Sequence, residues 1–298
     1  MTDNGDALDQ GRALQVAQRL VQQGVIGGPL QLLRSGSNHV FRAGELVLRI
    51  SEASGYRGSE IAVVQRLAEA GVPVLSPRAD LGVVEGVWAT LWDYIEPDLA
   101  APVDFAGLGR GIARLHAVPA ERLADVVPLP WYAEASWLRI EHNLELAATT
   151  GILSEVEVAA LRQVCEELRG WDRVDPGEPV VVCHGDVHPA NVLMHHGQPV
   201  IIDWDLICLG PAAWDHAALL TWPERWGGGP TDYSDFAMGY GKDFSDDPLA
   251  RRLARVRLIG PTINMIRLGA SDERARRQAK TRMRYWMGDP DAPQWTPL

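Results

Sequence analysis

Two apolar runs bracket a turn crowded with polar groups. Val180-Val181-Val182-Cys183 leads into His184-Gly185-Asp186-Val187-His188-Pro189-Ala190-Asn191, and Val200-Ile201-Ile202 leads into Asp203-Trp204-Asp205. Short runs rich in β-branched residues and bounded by Gly and Pro read as strands. The chain must therefore fold so that Asp186, Asn191 and Asp203 stand on turns at strand ends, with rigid backbone behind them. An acid in such a place commonly satisfies turn amides, and Asn191 alone reads as a turn or cap residue. Three such groups in this order support a chemical reading instead.

Asn191 follows Asp186 by the D-x-x-x-x-N spacing of phosphoryl-transfer catalytic loops. A carboxylate at Asp186 can accept the proton of a substrate hydroxyl. Asn191 offers a carbonyl oxygen, a hard ligand of the kind magnesium takes. Asp203, ionised and facing another acid, needs a cation to be tolerable at close range. Asp205 either reaches the same metal or its surroundings, or is simply exposed. His188 joins Asp205 as a candidate for a supporting or substrate contact. His184, His188, His195 and His196 with Cys183 raise a zinc reading, which is set aside: Gly185 and Pro189 oppose a helix, and no second compact ligand pair follows.

Composition removes other classes. The chain has 298 residues, enough for two lobes, and is 46% hydrophobic and 22% charged, an ordinary globular balance. Its net charge of −11 opposes a nucleic-acid binder, which needs a basic face. The acidity suits a cationic substrate, or solubility alone. Cys165, Cys183 and Cys208 form no C-x-x-C pair and read as buried thiols in a reducing compartment. The first eleven residues lack an apolar signal core, and no apolar run is long enough to cross a bilayer. A cytoplasmic protein with no membrane partner is expected.

Apolar spacing predicts a helix over Ala13–Val25, three strands over Leu30–Arg34, His39–Arg42 and Leu46–Ile50, and a helix over Ser59–Ala70. A hairpin follows, Leu81–Val84 and Val87–Tyr94 about Glu85-Gly86. Helical patterns dominate from residue 105: Phe105–Val118, Trp131–Ala148, Ser154–Arg169, and several after Pro211. Ser154-Glu155-Val156-Glu157 has the form of a capping box. The expected division is a strand-rich lobe over residues 1–95 and a mostly helical lobe over 96–298, with a hinge near residues 93–100 and a ligand cleft between them.

The strand lobe is expected to hold the nucleotide. Ser35-Gly36-Ser37-Asn38 is a polar hairpin tip whose amides, at Ser37 and Asn38 in particular, can cover phosphates, though it reads equally as a plain turn. It is neither a Walker loop nor a G-x-G-x-x-G. Arg49 stands where a third-strand cation would meet the phosphates, with Glu60 in the next helix as its partner. Alternatively Arg49 is exposed, and Glu60 serves the helix dipole.

These features resemble the aminoglycoside phosphotransferase and choline kinase-like family. The resemblance rests on His184–Asn191 and Ile202–Asp205, with support from Leu115-His116, Gly71–Val74 and Gly210-Pro211…Trp214-Asp215. It spans about residues 30–216. It implies an α+β, bilobal protein-kinase-like fold, with a small antiparallel sheet and a larger helical lobe. It also implies ATP- or GTP-dependent phosphorylation of a small-molecule hydroxyl with Mg2+. By the resemblance Asp186 is the catalytic base, Asn191 and Asp203 are the metal ligands, Arg49 and Glu60 form the phosphate-contacting pair, and the Asp93–Ile95 backbone meets the nucleotide base. Arg49 departs from the commoner Lys.

Acceptors in that family range from aminoglycosides and macrolides to choline, homoserine and sugars, so a metabolic kinase is the alternative to a resistance enzyme. Trp222-Pro223-Glu224-Arg225-Trp226 and the glycines after it read as a mobile loop near the acceptor. A nucleotide-binding pseudokinase scaffold is disfavoured by the retained Asp186, Asn191 and Asp203. A protein kinase is disfavoured by the missing Gly-rich loop and Ala-Pro-Glu segment.

Overall fold

A computed structural model describes residues 8–36, 38–52, 60–175 and 177–296. In chain order the elements are α1 (Gln10–Gln22), β1 (Leu30–Ser35), β2 (His39–Ala43), β3 (Leu46–Glu52), α2 (Glu60–Glu69), β4 (Pro77–Val84), β5 (Val87–Asp93) and α3 (Phe105–His116). There follow α4 (Ile140–Ala148), α5 (Glu155–Glu167), β6 (Val180–Cys183), β7 (Val192–His195), β8 (Gln198–Ile201) and β9 (Cys208–Pro211). The chain closes with α6 (Ala213–Leu220), α7 (Trp222–Arg225), α8 (Asp232–Tyr240), α9 (Pro248–Leu268) and α10 (Glu273–Trp286). Among the described residues no helix is long and apolar enough to cross a membrane.

The chain divides into two compact units. One comprises residues 1–103, 119–129 and 192–205; the other comprises 104–118, 130–191 and 206–298. Neither is a single continuous stretch.

The first unit holds an antiparallel sheet of order β1-β2-β3-β5-β4. Alternation along β3 and β5 sorts its two faces. Leu48, Ile50, Val87, Ala89 and Leu91 join Ala13, Val16, Ala17 and Leu20 of α1 in one core. Arg49, between Leu48 and Ile50, is thereby turned to the opposite face. The β4–β5 hairpin turns at Glu85-Gly86, both at positive φ (52° and 80°), which matches the twist of a two-residue hairpin loop. The β7–β8 hairpin belongs to this unit because backbone bonds tie it there. The Ile201 amide donates to the Pro73 carbonyl at 2.8 Å, and the Asp98 amide to Met194 at 2.8 Å. The strand preceding Asp203 is thus anchored to the segment after α2.

The second unit packs helices around α9, whose buried residues run along most of its length. Asp247 caps α9 by accepting from the Ala250 amide at 2.9 Å, and Pro248 occupies its first turn, where a missing N–H costs nothing. Helices α3 and α8 meet where Gly109 and Gly239 stand. A Cβ on either would strike the backbone of the other helix. The capping box of α5 is present: the Ser154 amide donates to Glu157 Oε2 at 2.7 Å, and the Glu157 amide to Ser154 Oγ at 3.3 Å.

Two expectations are corrected. The predicted helix over Trp131–Ala148 begins only at Ile140. Before it, Trp131 bridges to Leu209, and Tyr132 packs its ring against Trp171 and Trp214 at 5.7 and 5.0 Å, so anchoring in an aromatic cluster overrides helical periodicity. Trp222–Arg225 is a short helix rather than a loop. Of the glycines after it, Gly229 is held by Asp232, whose Oδ2 accepts from the Gly229 amide at 2.8 Å, and the Gly228 amide donates to the Trp222 carbonyl at 3.2 Å. The predicted start of α2 at Ser59 lies outside the described residues.

His216 on α6 is enclosed by Tyr233, Phe236, Tyr240 and Phe244, with ring centroids 4.3 to 6.0 Å away. Burial, reinforced by the neighbouring His116, pushes its pKa down to about 3. The native state keeps this ring neutral while the unfolded chain protonates it near pH 6.5, so the unfolded state holds more protons between those values. Its stabilising contribution is complete above pH 6.5 and is lost as the pH falls. His216→Phe should flatten the acid side of the stability profile by about 1.4 kcal/mol per pH unit below pH 6.5. Urea unfolding of both proteins at pH 7, 6 and 5 measures the difference; parallel profiles would refute it.

Candidate active site

In the second unit, β6 and β9 pair antiparallel, with Cys183 opposite Cys208. The chain leaves β6 into the polar turn at His184. Asp215, in the first turn of α6, fixes that turn: its Oδ2 accepts from the His184 amide at 2.8 Å and its Oδ1 from the Gly185 amide at 2.8 Å. His116 Nε2, at the end of α3, lies 3.0 Å from the same carboxylate. Burial would raise the Asp215 carboxyl, but the hydrogen bond and charge of His116, with His184 and the Gly185 amide, hold it below its usual value. Gly185 lies at φ +84°, and a Cβ there would collide with the Leu206 carbonyl. The tight reversal that presents Asp186 therefore requires glycine.

The Asp186 amide donates to His184 Nδ1 at 3.2 Å. Arg257 of α9 donates from Nη2 to Asp186 Oδ1. On the other oxygen, Oδ2, His188 Nε2 lies at 3.2 Å and Asn191 Nδ2 at 3.4 Å. His188 Nδ1 accepts from the Ala190 amide at 3.2 Å, which leaves the Nε2 proton facing Asp186. Burial alone would raise the Asp186 carboxyl; the charge of Arg257 and the hydrogen bond of His188 outweigh it and hold the group well below the usual carboxylate range. Asp186 is thus ionised and sits on a braced turn.

Asn191 is buried and donates from Nδ2 to the Asp186 carbonyl at 3.0 Å, which fixes its amide. Its Oδ1 is buried without a hydrogen-bond partner among the described residues. A buried acceptor left unmade is costly. An oxygen-seeking cation such as magnesium matches that atom.

The first unit carries the other candidates. Asp203 follows β8 in the left-handed region, at φ +69°, a conformation of the kind that clusters at functional sites. Arg34 donates to Asp203 Oδ2 at 3.4 Å, and Arg49 Nη2 lies 4.0 Å from Oδ1. Arg49 donates to both Glu60 and Asp205, and Asn38 Nδ2 donates to Asp205 Oδ2 at 3.1 Å. Burial works against the Arg49 charge, but Glu60, Asp205 and Asp203 together raise its pKa above the usual value. Glu60 is pushed up to about 7 by burial, against the pull of Arg49 and with the help of Asp205 and Asp203. Asn38, Arg49, Glu60, Asp203 and Asp205 are thus one connected cluster. Ser37 lies outside the described residues.

Asp93 ends β5 and receives Arg78 on its carboxylate. Its amide donates to the Ser76 carbonyl and that of Tyr94 to Glu45, each at 2.9 Å. Of the Asp93–Ile95 segment, the Ile95 amide has no partner among the described residues.

Three participants have roles that the sequence does not signal. Arg34 reads there as the end of a strand. Asp215 belongs to the family pattern without a role. Arg257 had no signal, standing in a run of arginines far along the chain. Of the four histidines near this turn, His195 Nδ1 lies 2.9 Å from the Glu96 carbonyl within the first unit, while His184 and His188 serve Asp186 within the second.

Residues 30–254 match the model of the phosphotransferase enzyme family. No curated protein matches the chain. Among solved structures, a choline/ethanolamine kinase family protein from Mesorhizobium loti is 20% identical over 94% of this chain and 95% of its own, with a TM-score of 0.68. Aminoglycoside 2'-phosphotransferase-IIIa in complex with GDP is 15% identical over 93% and 98%, with a TM-score of 0.68. Spectinomycin phosphotransferase with ADP and spectinomycin is 17% identical over 92% and 94%, with a TM-score of 0.63. The shared fold is the α+β, bilobal protein-kinase-like one expected from the sequence.

Proposed function

The chain belongs to the phosphotransferase enzyme family and is a small-molecule kinase, and from that premise we propose that it moves the γ-phosphate of ATP or GTP to a hydroxyl of a small acceptor. The observation that carries this reading is the turn after β6. There Asp186 is ionised and braced, and five residues on, the Asn191 carbonyl oxygen is buried without a hydrogen-bond partner among the described residues.

In this reading Asp186 Oδ2 orients the acceptor hydroxyl and receives its proton as the new P–O bond forms and the bond to the leaving diphosphate breaks. Asn191 Oδ1 and the Asp203 carboxylate are the groups that would hold Mg2+. The metal, when bound, offsets the charge of the phosphates. Arg49, kept charged and aimed by Glu60, contacts the phosphates, with Asn38 and Ser37 covering them. Ile95 offers its amide to the nucleotide base, and Asp93 lies beside it. Asp205 and His188 stand next to these groups, Asp205 on Arg49 and His188 on Asp186.

An aminoglycoside-type acceptor is proposed first, because an aminoglycoside 2'-phosphotransferase and spectinomycin phosphotransferase are among the similar structures. A role in antibiotic resistance in the cytoplasm would follow. The likeness to a choline/ethanolamine kinase family protein favours a metabolic alcohol as the second reading. In either case His188 stacks on Trp222 at 6.1 Å, giving a flat surface beside the catalytic carboxylate.

The test is acceptor-dependent release of ADP or GDP across aminoglycosides, macrolides, choline, homoserine and sugars. Turnover with at least one acceptor is expected, abolished by EDTA and restored by excess Mg2+. Absence of turnover with every acceptor, or turnover indifferent to EDTA, would count against the assignment.

A further inference from the structure

Arg257 is a buried cation whose side chain is 8% exposed, and its bonds lead directly to the catalytic turn. Nη1 donates to the Gly185 carbonyl at 3.0 Å, and Nη2 donates to Asp186 Oδ1. The guanidinium carbon lies 5.2 Å from the ring centroid of Trp137 and 5.1 Å from that of Trp214, within cation–π range of both. Gly260, three residues further along α9, lets Trp137 close: a Cβ there would sit 2.8 Å from the indole. Two indoles and two acceptors therefore hold one planar group. That arrangement suits a guanidinium, which presents its donors in a fixed fork, and does not suit an ammonium.

The contact divides the two oxygens of Asp186. Oδ1 is taken by a cation that is itself packed in place. Among the described residues, Oδ2 meets His188 and the weaker approach of the Asn191 amide. A buried guanidinium needs its charge compensated, so Arg257 would keep its grip on Oδ1 as substrates come and go. The oxygen open to an incoming hydroxyl is Oδ2.

We propose that Arg257 is a positioning residue for phosphoryl transfer, locking the Asp186 carboxylate so that Oδ2 meets the acceptor hydroxyl. This rests on the role proposed above for Asp186. Loss of the lock misorients the base without touching the nucleotide. Small displacements of a reacting group can cost on the order of 10²-fold in rate.

The test compares Arg257→Gln, Arg257→Lys, Asp186→Asn and the Gln/Asn double variant for kcat, both KM values and melting temperature. Arg257→Gln should lower kcat by about 10²-fold with the nucleotide KM within about twofold of wild type. Arg257→Lys, which keeps the charge and loses the fork, should fall between. In the Asp186→Asn background, removing Arg257 should change the residual turnover by less than about twofold, since groups acting through one another are not additive. If Arg257→Gln does not fold, the Lys variant carries the same cycle. Wild-type kcat in the variants, or an equal further loss on the Asp186→Asn background, would overturn the inference. Full turnover by Asp186→Asn alone would instead overturn the assignment of Asp186.

Discussion

Asp186→Asn should reduce kcat by about 10³-fold or more, at the upper end of what one general base supplies, with the nucleotide KM nearly unchanged. The substitution is close to isosteric, and the amide oxygen can still accept from Arg257. What disappears is the negative charge that receives the hydroxyl proton. Asn191 should keep its place, because it is fixed through the Asp186 carbonyl, which survives the change. Steady-state kinetics with any acceptor found active, together with calorimetric nucleotide binding, measures both halves. A variant within a few-fold of wild-type kcat would mean that the proton leaves by another route, and a parallel loss of nucleotide binding would mean that the turn had collapsed.

Asp215→Ala should be the most damaging change to the fold of the second unit, at about 3–5 kcal/mol. Its carboxylate is fully buried and accepts two backbone amides, at His184 and Gly185, besides facing His116. Alanine would remove the carboxylate that both amides donate to, at about 1–3 kcal/mol each, and the acid facing His116. The total is a large share of the roughly 5–15 kcal/mol by which such proteins are stable. The same amides open the turn that ends in Asp186, so activity should fall with stability. Urea unfolding and kcat of the variant measure the two together. A midpoint and kcat like those of wild type would show that the turn is held by other means.

Much of this was legible where the information is local. The D-x-x-x-x-N turn, the Ser154 capping box and the Glu85-Gly86 hairpin each depend on residues a few positions apart, and each arose from its own chemistry. The position of Arg49 on the third strand was legible too, while its facing away from the core emerged only with Leu48 and Ile50 packed inside. What escaped depends on distance along the chain. Arg34 meets Asp203 across 169 positions, and Arg257 meets Asp186 across 71. No periodicity encodes such a pairing. The helix expected from Trp131 failed for a related reason: the residues before Ile140 have helical spacing, but their rings are committed to Trp171 and Trp214. The β7–β8 segment joins the strand unit through single backbone bonds at Ile201 and Met194 that composition does not reveal.

The central claim, transfer of the nucleotide's γ-phosphate to a small-molecule hydroxyl through Asp186, is tested most directly by phosphorus NMR of a reaction run to completion with an active acceptor. The account predicts one phosphate monoester of the acceptor for each nucleoside diphosphate formed, its formation slowed about 10³-fold or more with Asp186→Asn. Nucleoside diphosphate accompanied only by inorganic phosphate, or the ester at undiminished rate from the variant, would contradict it.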